Sequence, residues 1–250
     1  MRRDGQEVSG HPVQSLKSPP LSHSVPIHLR PTAPLAERVL LPGDPGRALA
    51  LAQSLLQEPR MFNHHRGLWG YTGTAPDGLA LTIQSTGMGG PSAAIVLTEL
   101  IALGARRAIR VGTCGALAGG LALGDLVIAR EAICADGTSR ALGAGERAPA
   151  DPSLTDALAA QVPSALLGTI VSVDLFYGGD ERTQHRDAVA VEMETAALFA
   201  AGAAAGVPAA CVLAVSDTFD ARATRTRIDD EALLDAAESM GRAAIAALSA

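Results

Sequence analysis

The stretch from Val189 to Phe199 constrains the fold more than any other part of the chain. It opens as an alternating apolar strand and turns without a spacer into an Ala- and Leu-rich helix. A strand feeding a helix in this way is the building unit of α/β proteins, so the rest of the chain must supply partners for a sheet covered by helices. Glu192, Met193 and Glu194 fall where the period changes, at the C-terminal end of the strand. In an open α/β sheet that edge is where ligands bind. A carboxylate beside a thioether can hold a sugar through its hydroxyls while an apolar side chain packs on the ring. The same glutamates would equally favour a helix N-terminus through the macrodipole.

The remaining pattern agrees with this class. Arg38–Leu41 reads as a strand, Pro42–Gly46 as a tight loop and Arg47–Leu56 as a helix. Strands follow at Gly70–Thr74 and Leu79–Gln84. The glycine loop Ser85–Ser92 leads into the apolar helix Ala93–Leu103, with Pro91 suited to a first helical turn. Arg107–Val111 reads as a buried strand ending in Gly112–Gly115. Asp125–Ala129 and Leu166–Val173 are further strands, separated by a Gly-, Ala- and Pro-rich stretch, Ala135–Pro152, that reads as a surface loop. Pro208–Val215 is the last core strand, ending at Ser216 and Asp217, and Asp230–Leu248 is a closing helix with acidic residues at its start. The expected fold is therefore α/β, a single domain with a central mixed β-sheet flanked by helices. Residues 1–26 read as a flexible N-terminal tail and residues 27–250 as the domain.

Composition excludes several functions. The formal net charge is -6 and Lys17 is the sole lysine, so there is no basic patch for nucleic acid, although single arginines can hold small anions. Cys114, Cys134 and Cys211 are an odd set without metal-ligand or disulfide spacing, which predicts buried thiols in a reducing cytoplasm and no metal site. No apolar stretch has the length of a membrane span.

Several strand ends carry polar residues among glycines: Gly43 and Asp44 with Arg47, Gly87 to Gly90 around Met88, Arg110 with Gly112 and Thr113, Asp174 to Tyr177, and Ser216 with Asp217. Such ends can converge on one cleft. Glycines let backbone N–H groups approach an anion, and Arg47, Arg66 and Arg110 have the forked donors that match phosphate. Arg110 interrupts an apolar strand, where an arginine is rarely buried without a partner. The glycine loop also invites a dinucleotide reading. The third glycine of that fingerprint is missing, and the region where an acid should meet ribose holds Arg110 instead, which favours phosphate over NAD.

Seven segments in order carry a family resemblance: Pro42-Gly-Asp-Pro-Gly-Arg47, Asn63-His-His-Arg66, Thr86-Gly-Met-Gly-Gly-Pro-Ser92, Arg110-Val-Gly-Thr-Cys-Gly-Ala116, Asp174-Leu-Phe-Tyr177, Val191-Glu-Met-Glu194 and Val215-Ser-Asp217. Together, from about His28 to the C-terminus, they resemble the nucleoside phosphorylases of the hexameric bacterial purine nucleoside phosphorylase and uridine phosphorylase type. The resemblance implies cleavage of a nucleoside N-glycosidic bond by inorganic phosphate, giving a free base and ribose 1-phosphate. It implies no metal or organic cofactor, phosphate being a co-substrate, and a homo-oligomer built from dimers, with six subunits as the family's size.

The resemblance also implies roles. Gly43, Arg47, Arg110 and Thr113 would bind phosphate, with Arg66 reaching in from a neighbouring subunit. Glu194, with Glu192 and Met88 close by in sequence or loop, would bind the nucleoside by holding the ribose hydroxyls, and Met193 would pack on the sugar. His28 would cross to the adjacent site and meet the 5′-hydroxyl, while Phe176 would face the base. Asp217 would be the acid that protonates purine N7, a role that requires burial or a neighbouring carboxylate to raise its pKa. Arg222, Arg225 and Arg227 are all candidates for its partner. Phe176 to Arg182 resembles the base loop of the uridine enzymes, with Arg182 kept and Asp180 in place of a glutamine; an aspartate can only accept, which suits a purine N1–H. The expectation is a purine-preferring phosphorylase, with uridine phosphorylase, a nucleoside hydrolase and a non-catalytic nucleoside-binding protein as alternatives.

Overall fold

The computed structural model describes residues 26–177, 185, 187–220 and 224–250. Residues 1–25, Asp180, Arg182 and Arg222 lie outside the described residues. The described elements run β1 (Arg38–Leu41), α1 (Pro45–Leu55), β2 (Gln57–Asn63), β3 (Gly70–Thr74), β4 (Ala80–Gln84), α2 (Gly90–Leu103), β5 (Arg107–Ala116) and β6 (Leu126–Ala135). They continue with α3 (Gly137–Ala141), β7 (Arg147–Pro149), α4 (Pro152–Gln161), β8 (Leu166–Val173), β9 (Ala190–Glu192), α5 (Thr195–Ala205), β10 (Ala209–Phe219), β11 (Arg225–Arg227) and α6 (Asp230–Ser249).

Strand alternation sorts the core into layers. In β1, Leu40 turns to one side, where it joins Leu51 and Leu55 of α1 and Met240 and Ala244 of α6. Its neighbours Val39 and Leu41 turn to the other, against Val96, Leu97 and Leu100 of α2 and Leu198 of α5. Both faces of the sheet are thus covered, which is why Val39–Leu41 of β1 reads as an unbroken apolar run and why Arg110 stands out in β5. Helix α5 is buried almost all round, so its Ala-rich composition reflects packing on two sides.

The sheet is mixed, in the order β11-β10-β6-β8-β9-β5-β1-β4-β3-β2. Strands β4, β1, β5 and β10 are mutually parallel neighbours, so their C-terminal ends share one edge. Strand β10 also pairs with β5, so β5, β10, β6, β8 and β9 form a closed circuit and not an open sheet. Strand β9 enters antiparallel to β5, with Val191 opposite Gly115. That crossing brings the Glu192–Glu194 corner over the strand that carries Arg110.

The stretch 135–152 is not a surface loop. Strand β6 runs on to Ala135, Asp136 caps α3 by accepting from the Ser139 N–H at 2.7 Å, and β7 pairs with β6 with Ala148 buried. Both elements are too short to show a period, and the side chain that starts the helix is an Asp that reads equally well as a turn residue. Strands β2 and β11 and helix α4 were likewise silent in the sequence.

Candidate active site

The site is built on Arg110. It stands in the middle of β5, is 4% exposed, and lies across from Cys211 of β10. Its guanidinium folds back over Gly112, where a Cβ would come within 2.7 Å of Cζ, so only glycine leaves room. Nε donates to Glu192 Oε2 at 3.1 Å and Nη2 to Glu194 Oε2 at 2.5 Å. Nη1 is buried and has no hydrogen-bond partner among the described residues. It faces Gly43, where a Cβ would sit 3.9 Å from Nη1 and 3.5 Å from the Gly87 carbonyl oxygen.

The two carboxylates differ in what they can do. Glu192 accepts from Arg110, the Ser172 hydroxyl and the backbone N–H groups of Glu194 and Thr195, the last two at 2.9 Å. It thereby caps α5 and fixes the corner, and its side chain is 1% exposed. Both Glu192 side-chain oxygens are turned inward and accept from groups of the same chain. Glu194 is less enclosed. One oxygen takes the Gly89 N–H at 2.6 Å and the other takes Arg110, leaving lone pairs on both. One guanidinium therefore serves two buried carboxylates. Burial alone would lower the pKa of Arg110, but Glu194 and Glu192 raise it above the ordinary value. Burial pushes Glu194 up, Arg110 pulls it down and the charge of Glu192 pushes it up again, leaving it raised. Beside them burial pushes the Cys211 thiol up to about 12, so it is neutral packing and not a nucleophile.

The glycine loop holds Glu194 through its backbone. Gly87 and Gly89 have φ of 74° and 83°, left-handed values that let the loop reverse beside the β1–α1 turn, and the Gly87 N–H donates to the Gly43 carbonyl at 3.0 Å. Between them Met88 projects outward, 87% exposed. Across this gap the Asp44 carboxylate caps α1 by accepting from the Arg47 N–H at 2.7 Å. Burial lowers the pKa of Arg47; it feels Asp44 and Glu194 as opposite charges and Arg110 and Arg227 as like ones, which places it in the same cluster. Thr113, half-buried, follows Gly112 on β5.

Asp217 closes the other end. It is 5% exposed on β10, where β11 folds back antiparallel with Arg227 opposite it. Its Oδ1 accepts from Arg225 Nε at 2.6 Å and lies 3.8 Å from Arg227 Nη1, while Oδ2 accepts from the Ser216 hydroxyl at 2.6 Å. Burial would raise its pKa, but Arg225, Ser216 and Arg227 outweigh burial and hold it below the ordinary carboxylate range. The expected upward shift is thus corrected: the paired arginines on β11, an element without a sequence signal, decide the sign. Of the three candidate partners, Arg222 lies outside the described residues; Arg225 and Arg227 share the Asp217 face of the β10–β11 ladder, and Arg225 makes the shorter contact. The Arg225 guanidinium also lies over Phe176, 4.5 Å from its ring centroid, and Phe176 meets Tyr177 edge to face at 4.8 Å. Met193 is partly buried against Val171, Val173 and Val191.

Among the described residues, two expected residues make no hydrogen bond to this cluster. Arg66 is exposed on a short turn, His65–Gly67, where its φ of 59° is left-handed. His28 is half-buried against α2, with Nδ1 on Glu99 Oε1 at 2.7 Å. Asp180 and Arg182 lie outside the described residues.

The sequence profile of the phosphorylase superfamily matches residues 37–250. The chain is 37% identical over 206 residues to a DeoD-type purine nucleoside phosphorylase of Clostridium beijerinckii, covering 77% of this chain and 86% of that protein. It is 38% identical over 196 residues to that of Geobacillus kaustophilus, covering 74% and 83%. In three dimensions it resembles crystal structures of uridine phosphorylase from Vibrio fischeri ES114, one with a TM-score of 0.75 at 26% identity, covering 86% of this chain and 92% of that one. On its sequence, its fold and the order of its strand-end motifs, this chain belongs to the phosphorylase superfamily.

Proposed function

We propose that the protein is a purine nucleoside phosphorylase, cleaving the N-glycosidic bond of purine ribo- or deoxyribonucleosides with inorganic phosphate. The observation that carries this reading is Arg110: two of its nitrogens hold carboxylates and the third, buried and unpartnered, faces the Gly43–Gly87 gap. One side chain therefore joins an anion seat to a sugar-binding glutamate. Phosphate sits among Gly43, Arg47, Arg110 and Thr113, Glu194 accepts from the ribose hydroxyls, Met193 and Met88 flank the sugar, and Phe176 faces the base, with Asp180 and Arg182 further along the same loop.

In the reaction a phosphate oxygen bonds to C1′ as the C1′–N9 bond breaks, its electron pair passing into the purine ring. Asp217, in the fraction that carries a proton against the pull of Arg225 and Arg227, gives that proton to N7, so the base leaves neutral and the carboxylate that remains is held by the same two arginines. Glu192 keeps Arg110 and the start of α5 in place. His28 and Arg66 complete the site of a neighbouring subunit in a homo-oligomer, a dimer-based hexamer by family likeness. The same reading places the enzyme in the cytoplasm, in purine salvage, with three buried thiols kept reduced.

The relatives at 37–38% identity support the purine reading, while the uridine phosphorylase neighbours favour a second one, with uracil as the base. Incubating the protein with inosine, guanosine, adenosine and uridine, each with and without phosphate, separates them. Phosphate-dependent release of purine and slow release of uracil are expected; faster uridine cleavage reverses the choice, and cleavage without phosphate makes it a hydrolase. Asp217→Asn keeps the shape but has no proton to give. It is expected to slow inosine phosphorolysis about 10²–10⁴-fold while sparing an N7-methylated purine nucleoside, whose base leaves without a proton. Equal loss on both substrates would reduce Asp217 to a structural residue.

A further inference from the structure

Nine residues into α2 stands a carboxylate that the catalytic cluster does not use. Glu99 is 5% exposed on a helix that carries no other charged residue, and a buried carboxylate needs donors. It takes all of them from one stretch of chain. The backbone N–H groups of Ile27, His28 and Leu29 donate to it at 3.0, 3.0 and 2.7 Å, and His28 Nδ1 lies 2.7 Å from Oε1. Three successive N–H groups turned on one anion form a nest, here wrapped around a side chain of the same protein. Burial would raise the Glu99 pKa; the N–H groups of Leu29 and Ile27 and the His28 ring bring it below the ordinary value, so Glu99 is an anion in the folded chain.

The other side of the same stretch is fastened to the turn that carries Arg66. The His28 carbonyl accepts from His65 Nδ1 at 3.0 Å, Arg30 N–H donates to Asn63 Oδ1 at 2.9 Å, and Thr32 N–H to the Phe62 carbonyl at 2.8 Å. Asn63 Nδ2 in turn donates to the Leu68 carbonyl at 2.5 Å, closing the turn around Arg66. His28 and Arg66 therefore hang on one hydrogen-bonded body, with Glu99 as its anchor in the core.

We propose that Glu99 is a positioning residue that fixes the His28 imidazole with Nδ1–H turned inward and Nε2 outward, and so presents Nε2 to the sugar 5′-hydroxyl in the neighbouring subunit's site. This rests on the reading of His28 as a residue lent to that site. A ring whose second nitrogen is engaged has one tautomer and one orientation, so the contact to the hydroxyl forms without a further loss of rotamer freedom. A glutamate that merely stapled the N-terminal stretch to α2 would affect stability and every substrate alike.

The assembled enzyme tests this with inosine and 5′-deoxyinosine. His28→Ala and Glu99→Gln are each expected to lower kcat/KM for inosine by about 10–100-fold and to leave 5′-deoxyinosine nearly unchanged, with no further loss in the double variant. Independently of activity, ¹⁵N spectra of the His28 ring should show Nδ1 protonated in the wild type and lose that signature in Glu99→Gln. If Glu99→Gln fails to assemble, Glu99→Asp, which keeps the charge but withdraws it by one methylene, is expected to show the same selective loss. Equal loss on both nucleosides, an unaltered ring signal, or additive losses in the double variant would each overturn the proposal. If His28→Ala itself keeps the full preference for the 5′-hydroxyl, the lent-histidine reading fails and takes the proposal with it. If that preference is lost in His28→Ala but kept in the Glu99 variant, the proposal alone fails.

Discussion

Arg110 is a buried structural residue that the proposed function also uses. Its two carboxylate partners are buried with it, so Arg110→Ala leaves Glu192 and Glu194 as unpaired neighbours of like charge. Breaking such a pair from one side costs about 3–5 kcal/mol, and the urea midpoint of the phosphate-free protein should fall accordingly, together with loss of phosphorolysis. Arg110→Lys keeps the charge but has no fork to span both carboxylates and Nη1's position, so it should recover stability without recovering activity. Asp217 is legible in the opposite sense. Its presence at a strand end was plain in the sequence, whereas the direction of its pKa was not, because Arg225 arrives from β11 through pairing that no local pattern announces. The sign follows from the geometry. Arg225 holds the folded-state pKa down; removing it lets burial push the pKa up, so more Asp217 carries a proton at any given pH. Arg225→Ala should therefore shift the alkaline fall of kcat/KM for inosine to higher pH, and an unmoved limb would show that another group supplies the proton.

At the scale of elements, the parallel strands β4, β1, β5 and β10 were readable because the apolar run in each is followed within two residues by glycine or serine. What the runs did not carry is the closure through β9, which depends on three residues only and brings the Glu192–Glu194 corner over β5. Short elements lack a period, so β7, β11 and α3 are products of tertiary pairing and not of local preference. Glycine positions, by contrast, were legible as motifs before their geometry was visible. Gly112 is the sharpest case: it sits inside β5, where glycine weakens a strand, because the guanidinium of Arg110 occupies the space of its side chain. Gly112→Ala would place a methyl 2.7 Å from Arg110 Cζ and push the fork off the Gly43 gap. A displacement of about 1 Å at a reacting group costs roughly a hundredfold, so kcat/KM should fall by about that factor while circular dichroism and the thermal midpoint change little. Full activity in Gly112→Ala would mean that the Nη1 position is not the anion seat.

On the scale of the whole molecule, the cluster of one chain is lopsided. The residues drawn together by the strand ends are Arg47, Arg110, Glu194 and Asp217, whereas Arg66 and His28 lie on a hydrogen-bonded body anchored through Glu99. Arg66 is exposed and held in a left-handed conformation by a turn whose carbonyls accept from Asn63, a costly backbone arrangement. The surface between these bodies includes Ile27, Trp69, Met88 and Ile95, all exposed and apolar, which suits burial against a second copy of the chain. If each site takes its phosphate arginines from two subunits, Arg66→Ala and Glu194→Ala damage different halves of the same site. Each variant alone should then be inactive as an assembled oligomer. After dissociation, mixing and reassembly, some interfaces pair a subunit lacking only Glu194 with one lacking only Arg66, and one of the two sites at such an interface has both groups intact. In a fully mixed dimer population half of the dimers are of this kind, so about a quarter of the sites should regain activity, by the combinatorics of a two-fold interface. Recovery near that fraction establishes sharing. No recovery, in oligomers shown by mass spectrometry to contain both variants, would place Arg66 outside the phosphate site and make each subunit's own strand-end cluster the complete one.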